Sequence, residues 1–233
     1  ALSLQFCVDS AATLKITVPS NWSDIAARPY LPLNDTAFAA GPVHQVYQPY
    51  SGGKLAQAGV ALLQYPLQFP MSDALARRDL QYYGTKFNFG MMFFGRLTYA
   101  INWLRFGSKS QADEVFDLAF FHQVGPWNVW RELGAPGGVG TGGGAVNFLT
   151  GAGAFLQSFL FGYIGLQVHA SRIDLNPKLP AHAANASAAG IAYRSCNIDV
   201  FVNASHMQIS GGTAACGELH LTDAANGSHR MVE

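Results

Sequence analysis

The stretch GGGAVNFLTGAGAFLQSFLFGYIGLQVHAS, from Gly142 to Ser171, contains no Asp, Glu, Lys or Arg. The uncharged region is wider still, because only His169 can carry a charge between Glu132 and Arg172. A run of this kind can cross a membrane, fill the centre of a large protein or line a binding pocket. These three possibilities make different predictions for the polar residues inside the run.

Polar residues interrupt the run in a way that argues against a membrane span. About twenty apolar residues are long enough to cross a bilayer. However, the amides of Asn147 and Gln157 would be costly in lipid, and no Lys or Arg cluster flanks the segment. On a helix these two residues would lie close to one face, where they could line a polar pocket. We therefore predict a central helix of a protein interior and no membrane span.

The overall charge is balanced and unusually low. The chain of 233 residues has 14 basic and 14 acidic residues, and charged residues make up only 12% of it. It thus offers no net charge to attract nucleic acid or an anionic membrane. So few charges cannot cover a surface, and much of the surface is expected to lie against other groups.

Some of those groups are expected to be sugars. Five Asn-x-Ser/Thr sequons occur, where chance predicts roughly one, and this excess indicates passage through the secretory pathway. We expect a secreted, extracellular, vacuolar or lysosomal protein. None of the sequons lies in the long middle section, which is consistent with a buried middle. The candidate glycosylation sites are Asn21, Asn34, Asn185, Asn203 and Asn226.

The three cysteines agree with an oxidising compartment. Cys196 and Cys216 are near each other in a strand-rich region and could close a loop, which would leave Cys7 free or paired with another chain. The chain begins with Ala and shows no signal peptide. We therefore interpret it as a mature subunit or the remainder of a longer precursor.

Helical patterns dominate up to about residue 165. Ser72 is placed to cap one amphipathic helix, and Ser110 and Asp113 form a possible capping box for another. Other segments are apolar almost all round, which predicts helices surrounded by protein. This alternation suggests an outer ring of helices packed on an inner ring. The apolar segments are Leu55–Leu63, Gly90–Gly107 and Gly143–Phe161.

After Gly165 the pattern changes to short alternating strands separated by Pro, Gly and Asn. These strands predict a small antiparallel β domain over residues 166–233. The fold class is thus mainly α over residues 1–165, followed by a small β domain.

Glu132 is the most informative carboxylate of the charge-poor middle. It lies in PWNVWRELGAPGG, after Trp127 and Trp130 and before a glycine-rich stretch. Aromatic rings beside a carboxylate suit a sugar, whose apolar face stacks while its hydroxyls form hydrogen bonds. A surface glutamate that follows two core tryptophans would give the same pattern, and both interpretations stay open here.

Other kinds of chemistry find less support in the sequence. The histidines lack metal-ligand spacing, so no metal or cofactor is predicted. The glycine-rich PGGVGTGGG lacks the Lys-Ser/Thr ending of a phosphate-binding loop. We interpret His44, His122 and His169 as structural residues.

The segment VWRELGAPGGVGTGGGAVNFLTGAGAFLQSFLFGYIGL resembles a signature of glycoside hydrolase family 65, in which Val-Trp-Thr-Glu precedes Gly-Ala-Val-Asn-Phe-Leu-Thr-Gly and a Phe-Leu-Gln helix. AQAGVALLQYPLQF, residues 56–69, is similar to the family's Lys-Gln-Ala-Asp-Val-Val-Leu-Leu-x-Tyr-Pro segment. NWSDIAARPYLPLND, residues 21–35, resembles its Trp-x-x-Ile-Ala helix. Within the family, the acid trehalases and the glucosidase acting on glucosylgalactosyl-hydroxylysine of collagen look closest.

The resemblance implies an (α/α)6 toroid, of which this chain holds the last helices and the C-terminal β domain. It also implies an inverting α-glucosidase with two carboxyl groups, of which the general acid lies upstream of this chain. Glu132 matches the glutamate expected to act as general base. Gln57 matches a glutamine that contacts glucose, and Trp130 would line the same pocket.

The chain also departs from the family pattern at residues that matter for sugar binding. Ala56, Gly59 and Arg131 stand where the family has Lys, Asp and Thr. These changes leave open a second hypothesis, a non-catalytic glycosylated protein that binds carbohydrate or has a structural role. Phosphorolysis is not favoured, because the phosphate-binding Ser/His signature of the phosphorylases is absent from the sequence.

An incomplete toroid would expose large apolar faces to water. We therefore expect a companion chain, the N-terminal portion of the same precursor, which could be bridged through Cys7. The other expected partner is a small glucoside or glycan substrate.

Overall fold

The computed structural model describes residues 2–87, 93–132, 144–169, 172–211, 220–222 and 229–231. The chain divides into two compact units, Ala1–Phe87 and Asn88–Glu233. The predicted domain boundary after residue 165 lies within the second unit and stays a prediction.

The first unit contains three α-helices, a short antiparallel strand pair and one 3₁₀ segment. The strands pair Leu33 with His44 and Asn34 with Val43. The elements in chain order are α1 (Leu2–Leu14), α2 (Asn21–Ala27), β1 (Leu33–Asn34), β2 (Val43–His44), the 3₁₀ segment Gly59–Leu63 and α3 (Asp73–Gly84).

Helix α3 organises the core of this unit. It begins as predicted, because the side chain of Ser72 accepts a hydrogen bond from the Leu75 amide at 3.3 Å. Asp79 on its buried face accepts hydrogen bonds from the backbone amide of His44 at 2.8 Å and from its ring Nδ1 at 2.6 Å. The buried Tyr83 hydroxyl donates to the His44 carbonyl at 2.6 Å. Strand β2 is therefore fixed to α3 by polar contacts inside the core.

The helix predicted over Leu55–Leu63 is not formed. Leu55 instead makes an isolated parallel bridge with Phe87, and only Gly59–Leu63 is helical, as a 3₁₀ segment. Gly59 lies so close to Val46 that an added Cβ would be 2.7 Å from Val46 Cγ2. Ala58, Val60 and Ala61 are buried, whereas Leu62 is 37% exposed. The spacing of the apolar residues alone does not distinguish this arrangement from a helix.

The second unit combines helices with small antiparallel sheets. Its helical part contains α4 (Phe93–Arg105), α5 (Lys109–Asp117), the 3₁₀ segment Leu118–His122, α6 (Leu149–Gln157) and the π-helical segment Ser158–Tyr163. Its strands are β3 (Gln123–Val124), β4 (Val129–Trp130), β5 (Gln167–Val168), β6 (Ile173–Asp174), β7 (Asn185–Tyr193), β8 (Cys196–Asn203), β9 (Met207–Ser210), β10 (His220–Thr222) and β11 (His229–Met231).

Helix α4 is enclosed by protein, as its apolar sequence predicts. Leu97, Ala100 and Leu104 are at most 1% exposed. Gly162 of the π-helical segment packs closely on this helix, since an added Cβ would lie 3.0 Å from Leu104 Cδ1. The interior position predicted for the apolar run is therefore confirmed over the described part of Gly90–Gly107.

Helix α5 begins differently from the prediction. The residue preceding it is Ser108, whose side chain makes no capping hydrogen bond, and Ser110 lies inside the first turn. The Asp113 side chain does not serve a capping box. It accepts a hydrogen bond from Tyr163 and forms an ion pair with Lys109. The Asp113 carboxylate therefore binds Tyr163, which is distant in sequence, and not the start of its own helix as the local pattern predicts.

Helix α6 is shorter and more exposed than predicted for Gly143–Phe161. Leu149 is 74% exposed and Leu156 is 68% exposed, so this helix presents apolar side chains to solvent. Asn147 precedes the helix with a φ of +54°, and the predicted shared helix face with Gln157 is wrong for that reason. Over the described ranges, no helix combines the length and the apolar character that a membrane crossing requires.

The strands after Gly165 form the predicted antiparallel unit in outline. Strand β8 pairs with β7 on one side and β9 on the other, and its residues alternate in burial. Its inward side chains form a core with Ile164 and Ala186: Cys196, Ile198, Val200 and Val202. The described chain is thus helical with small antiparallel sheets, which confirms the fold class at this level.

Candidate active site

A tight hairpin carries the residues that the sequence singled out. Strands β3 and β4 pair Gln123 with Trp130, and the turn between them needs two left-handed residues, Gly125 at φ +70° and Asn128 at φ +50°. Gly and Asn tolerate this conformation better than other residues. The tip residue Trp127 is 84% exposed, so it is not a core tryptophan.

Trp130 is held from three sides. Its indole Nε1 donates to the Ala119 carbonyl at 3.2 Å, and its ring lies 5.1 Å from the ring of Phe155 on α6, centroid to centroid. Its own carbonyl accepts a hydrogen bond from the Phe148 amide at 2.6 Å. The half-buried indole therefore has one fixed orientation at the end of β4.

Glu132 is half-buried two residues later. Its backbone amide donates to the Ala145 carbonyl at 3.1 Å, and its Oε2 accepts a hydrogen bond from the Ala145 amide at 3.0 Å. Within the described ranges, Oε1 accepts no hydrogen bond. A carboxylate with one oxygen anchored and the other open can take a proton from a water molecule.

The strand end behind Glu132 is braced by His122, which is 2% exposed. The His122 carbonyl accepts a hydrogen bond from the Arg131 amide at 2.9 Å, and its ring Nδ1 lies 3.2 Å from the Arg131 carbonyl oxygen. Burial lowers the pKa of His122, and the nearby positive charge of Arg96 lowers it further, against a smaller opposing effect of the Arg131 carbonyl. The imidazole is therefore neutral near pH 7.

Arg96 is a buried cation on α4, only 3% exposed. Its Nη1 donates to the Leu118 carbonyl at 2.9 Å, where the 3₁₀ segment begins, and burial lowers the pKa of the guanidinium to about 10. Among the described residues no carboxylate forms an ion pair with it. Its charge therefore acts on His122, and no described carboxylate pairs with it.

The structure brings two of the three predicted substrate-site residues together. Trp130 and Glu132 lie at the same strand end, whereas Gln57 belongs to the first unit, where it is exposed just before the 3₁₀ segment Gly59–Leu63. The grouping of Gln57 with Glu132 stays a prediction. The sequence pattern indicates only a structural role for His122. In the hairpin, continuing the pairing one residue outward from Gln123 and Trp130 brings His122 opposite Arg131.

The other predicted sites lie elsewhere on the chain. Asn21 and Asn185 are exposed, and the amide oxygens of Asn34 and Asn203 accept hydrogen bonds from the hydroxyl of their own sequon's Thr36 or Ser205. Cys7 is exposed on α1. Cys196 is buried. Asn226 and Cys216 lie outside the described residues, so the disulfide between Cys196 and Cys216 stays a prediction.

Comparison with known proteins identifies the relatives of this chain. The chain is 34% identical over 215 residues to a protein-glucosylgalactosylhydroxylysine glucosidase of Danio rerio, which covers 89% of this chain and 30% of that protein. It is 29% identical over 209 residues to the protein of the same name from Gallus gallus, covering 89% of this chain and 28% of the relative. A kojibiose hydrolase of Mucilaginibacter mallensis is 27% identical over 193 residues, covering 81% of this chain and 27% of the relative. The chain thus spans less than a third of the length of these curated relatives.

A solved structure shows the same fold. A protein from the human microbiome, provisionally named kojibiose phosphorylase, superimposes with a TM-score of 0.60 at 14% identity, covering 77% of this chain and 24% of that one. No family model matches the chain. These relatives and the solved structure are named as glycoside hydrolases or as a glycoside phosphorylase, which is the class of protein that the chain resembles. More particularly, the chain belongs to glycoside hydrolase family 65.

Proposed function

We propose that this chain is the C-terminal portion of an inverting α-glucosidase, with Glu132 as its general base. The single observation that carries the assignment is the geometry of this carboxylate, which is half-buried and anchored through Oε2, while Oε1 accepts no hydrogen bond from any described residue. The fixed indole of Trp130 beside it offers a surface for a sugar ring. The toroid that would surround this site is part of the proposal, with the described helices as its last members.

The proposed reaction uses two carboxyl groups on opposite sides of the glucosyl ring. Glu132 takes a proton from water as the water oxygen bonds to the anomeric carbon, and the bond from that carbon to the leaving oxygen breaks. A carboxylic acid from the upstream part of the protein gives its proton to that oxygen. In inverting enzymes the two groups stand roughly 6.5–9.5 Å apart to leave room for the water.

Two substrate classes are proposed, the glucosylgalactosyl-hydroxylysine of collagen and trehalose. The first is supported by the names of the relatives from Danio rerio and Gallus gallus. Gln57 would hold glucose hydroxyls through its amide, and Trp130 would line the same pocket. An exposed amide such as that of Gln57 can both donate and accept the hydrogen bonds that a sugar offers.

The cellular setting belongs to the same proposal. The sequons support a secreted, extracellular, vacuolar or lysosomal protein whose upstream portion forms a companion chain. Cys7, exposed on α1, is available for a bridge to that chain, and Cys196 would pair with Cys216. The exposed apolar side chains of Leu149 and Leu156 support an occupant on that surface in the complete protein.

A second candidate function is carbohydrate binding without turnover. It is favoured by Ala56 and Gly59, which replace a cation and a carboxylate of the family pattern. An aspartate at position 59 would meet Val46, because a Cβ there lies 2.7 Å from Val46 Cγ2. The Val46 side chain therefore lies where the side chain of an aspartate would begin. Each lost charge-assisted hydrogen bond would weaken glucose binding by about 1.5–3 kcal/mol.

The two functions are separated by Glu132→Gln in the full-length protein. Glucose release is measured from glucosylgalactosyl-hydroxylysine and from trehalose, with Glu114→Gln on the exposed side of α5 as the matched control. Removing a general base lowers kcat by about 10²–10⁴-fold, and the control is expected to match the parent. Absence of hydrolysis by the parent protein supports the binding function, and full activity of Glu132→Gln refutes the base assignment.

A further inference from the structure

We infer that His122 is a positioning residue for the proposed hydrolysis, holding through its imidazole the backbone carbonyl that precedes Glu132. This inference rests on the proposed function and adds a residue that the family resemblance did not assign. It is distinct from a catalytic role, because the ring is buried behind the strand.

The contact is specific to one atom of the ring. A carbonyl oxygen only accepts hydrogen bonds, so the 3.2 Å contact from His122 Nδ1 to the Arg131 oxygen requires a proton on Nδ1. The Arg131 amide donates to the His122 carbonyl in return. Both polar groups of the peptide backbone at Arg131 are thus bound to the same residue, next to the candidate base.

The position of His122 is itself fixed from the core. The 3₁₀ segment that ends at His122 begins at Leu118, whose carbonyl accepts the hydrogen bond of the buried Arg96. Arg96 lies on α4, whose residues Leu97, Ala100 and Leu104 are at most 1% exposed. A continuous set of contacts therefore runs from the core helix through the 3₁₀ segment to the peptide before Glu132.

Two contacts fix the orientation of Glu132. Its Oε2 accepts a hydrogen bond from the Ala145 amide, and the backbone carbonyl of the preceding residue accepts one from His122. Loss of the contact between His122 and the Arg131 carbonyl would let the end of β4 rotate. A displaced Glu132 carboxylate would lower the rate of the chemical step, because the reacting groups would no longer be aligned. Substrate binding by groups elsewhere would be affected less.

The inference is tested with three substitutions of His122 in the full-length protein. In His122→Asn the amide nitrogen takes nearly the position of Nδ1, whereas His122→Phe fills the space without a donor. His122→Gln carries its amide one bond farther and misses the Arg131 oxygen. We expect kcat per folded molecule to fall about tenfold in the Phe and Gln variants, with KM within twofold of the parent, and to stay within threefold in His122→Asn.

Two controls separate this effect from instability and from the proposed function. Val200→Ala removes a buried side chain of β8 and is expected to lower the unfolding midpoint without changing kcat. If the Phe variant does not fold, the comparison of Gln with Asn gives the same answer. Equal kcat values across the His122 series would overturn the inference. If Glu132→Gln retains activity in the same assay, the proposed function itself fails.

Discussion

Asp113 shows how one carboxylate can connect distant parts of the second unit. Its Oδ1 accepts hydrogen bonds from the Tyr163 hydroxyl at 2.7 Å and from the Ala181 amide at 3.3 Å, and its Oδ2 forms an ion pair with Lys109. Tyr163 is completely buried, and burial together with this hydrogen bond raises the pKa of its phenol. Tyr163 and the segment around Ala181 are thus both attached to helix α5 through Asp113.

Removing this carboxylate should cost more than removing the hydroxyl it binds. Asp113→Ala leaves the buried phenol and the Ala181 amide without their acceptor, for a loss of about 1–3 kcal/mol in the free energy of unfolding. Tyr163→Phe removes one donor and leaves Asp113 with two other partners, so its loss is expected near 1 kcal/mol. Denaturant unfolding of both variants measures the difference, and an equal or larger loss for Tyr163→Phe would contradict it.

At the scale of elements, Gly165 joins the last helical segment to the strands. It has a φ of +70°, and an added Cβ would lie 2.3 Å from the Asn176 carbonyl oxygen. The backbone bonds from Asn176 N to Gly165 O at 3.2 Å and from Lys178 N to Tyr163 O at 2.7 Å hold the two segments together. Only glycine suits both the conformation and the close approach.

Alanine substitutions at three glycines separate these two effects. Gly165→Ala is expected to lose more than about 2 kcal/mol of unfolding free energy, since it adds a clash to the cost of a left-handed residue. Gly190→Ala, at φ +69° with open space around the added Cβ, should lose only about 1–2 kcal/mol of unfolding free energy. Gly153→Ala, on α6 with open space, should gain up to about 1 kcal/mol. A loss at Gly190 as large as at Gly165 would show that the contact with Asn176 is unimportant.

The elements that local sequence determines were predicted well. The Ser72 cap, the enclosed helix α4 and the alternation of β8 each follow from residues within one turn or one strand. The 3₁₀ segment at Gly59 and the start of α5 depend on Val46 and Tyr163, which lie far away in sequence. A pattern of apolar residues carries no information about such partners, so these predictions failed.

The candidate site divides in the same way. Trp130 and Glu132 could be identified because they are neighbours in one motif. The contact of Glu132 with Ala145 spans a glycine-rich stretch, and the support from His122 depends on hairpin register. Neither contact could be predicted from the sequence, because spacing and residue type do not specify how a loop closes.

At the scale of the whole molecule, the proposed glycosylation is the property that is easiest to test. Asn21 and Asn185 are exposed, which suits enzymatic attachment of a glycan. We expect Asn21→Gln and Asn185→Gln in the full-length protein, made in a secreting eukaryotic cell, each to remove one glycan. Electrophoretic mobility before and after deglycosylation measures this. The control is Asn197→Gln, because Asn197 is exposed, whereas Asn102 is buried and therefore unsuitable. Unchanged mobility of both sequon variants would contradict the proposed secretory route.

The most direct test of the central claim is the anomeric form of the first glucose released from glucosylgalactosyl-hydroxylysine by the full-length protein. This substrate is chosen because trehalose would also release its leaving glucose as the α-anomer. Proton NMR recorded from the start of the reaction distinguishes the two anomers before they interconvert. If a water activated by Glu132 attacks opposite the leaving group, the first product from an α-glucoside is β-glucose, and Glu132→Gln produces almost none. Initial release of α-glucose from glucosylgalactosyl-hydroxylysine, or an unchanged rate of β-glucose release by Glu132→Gln, would contradict the account.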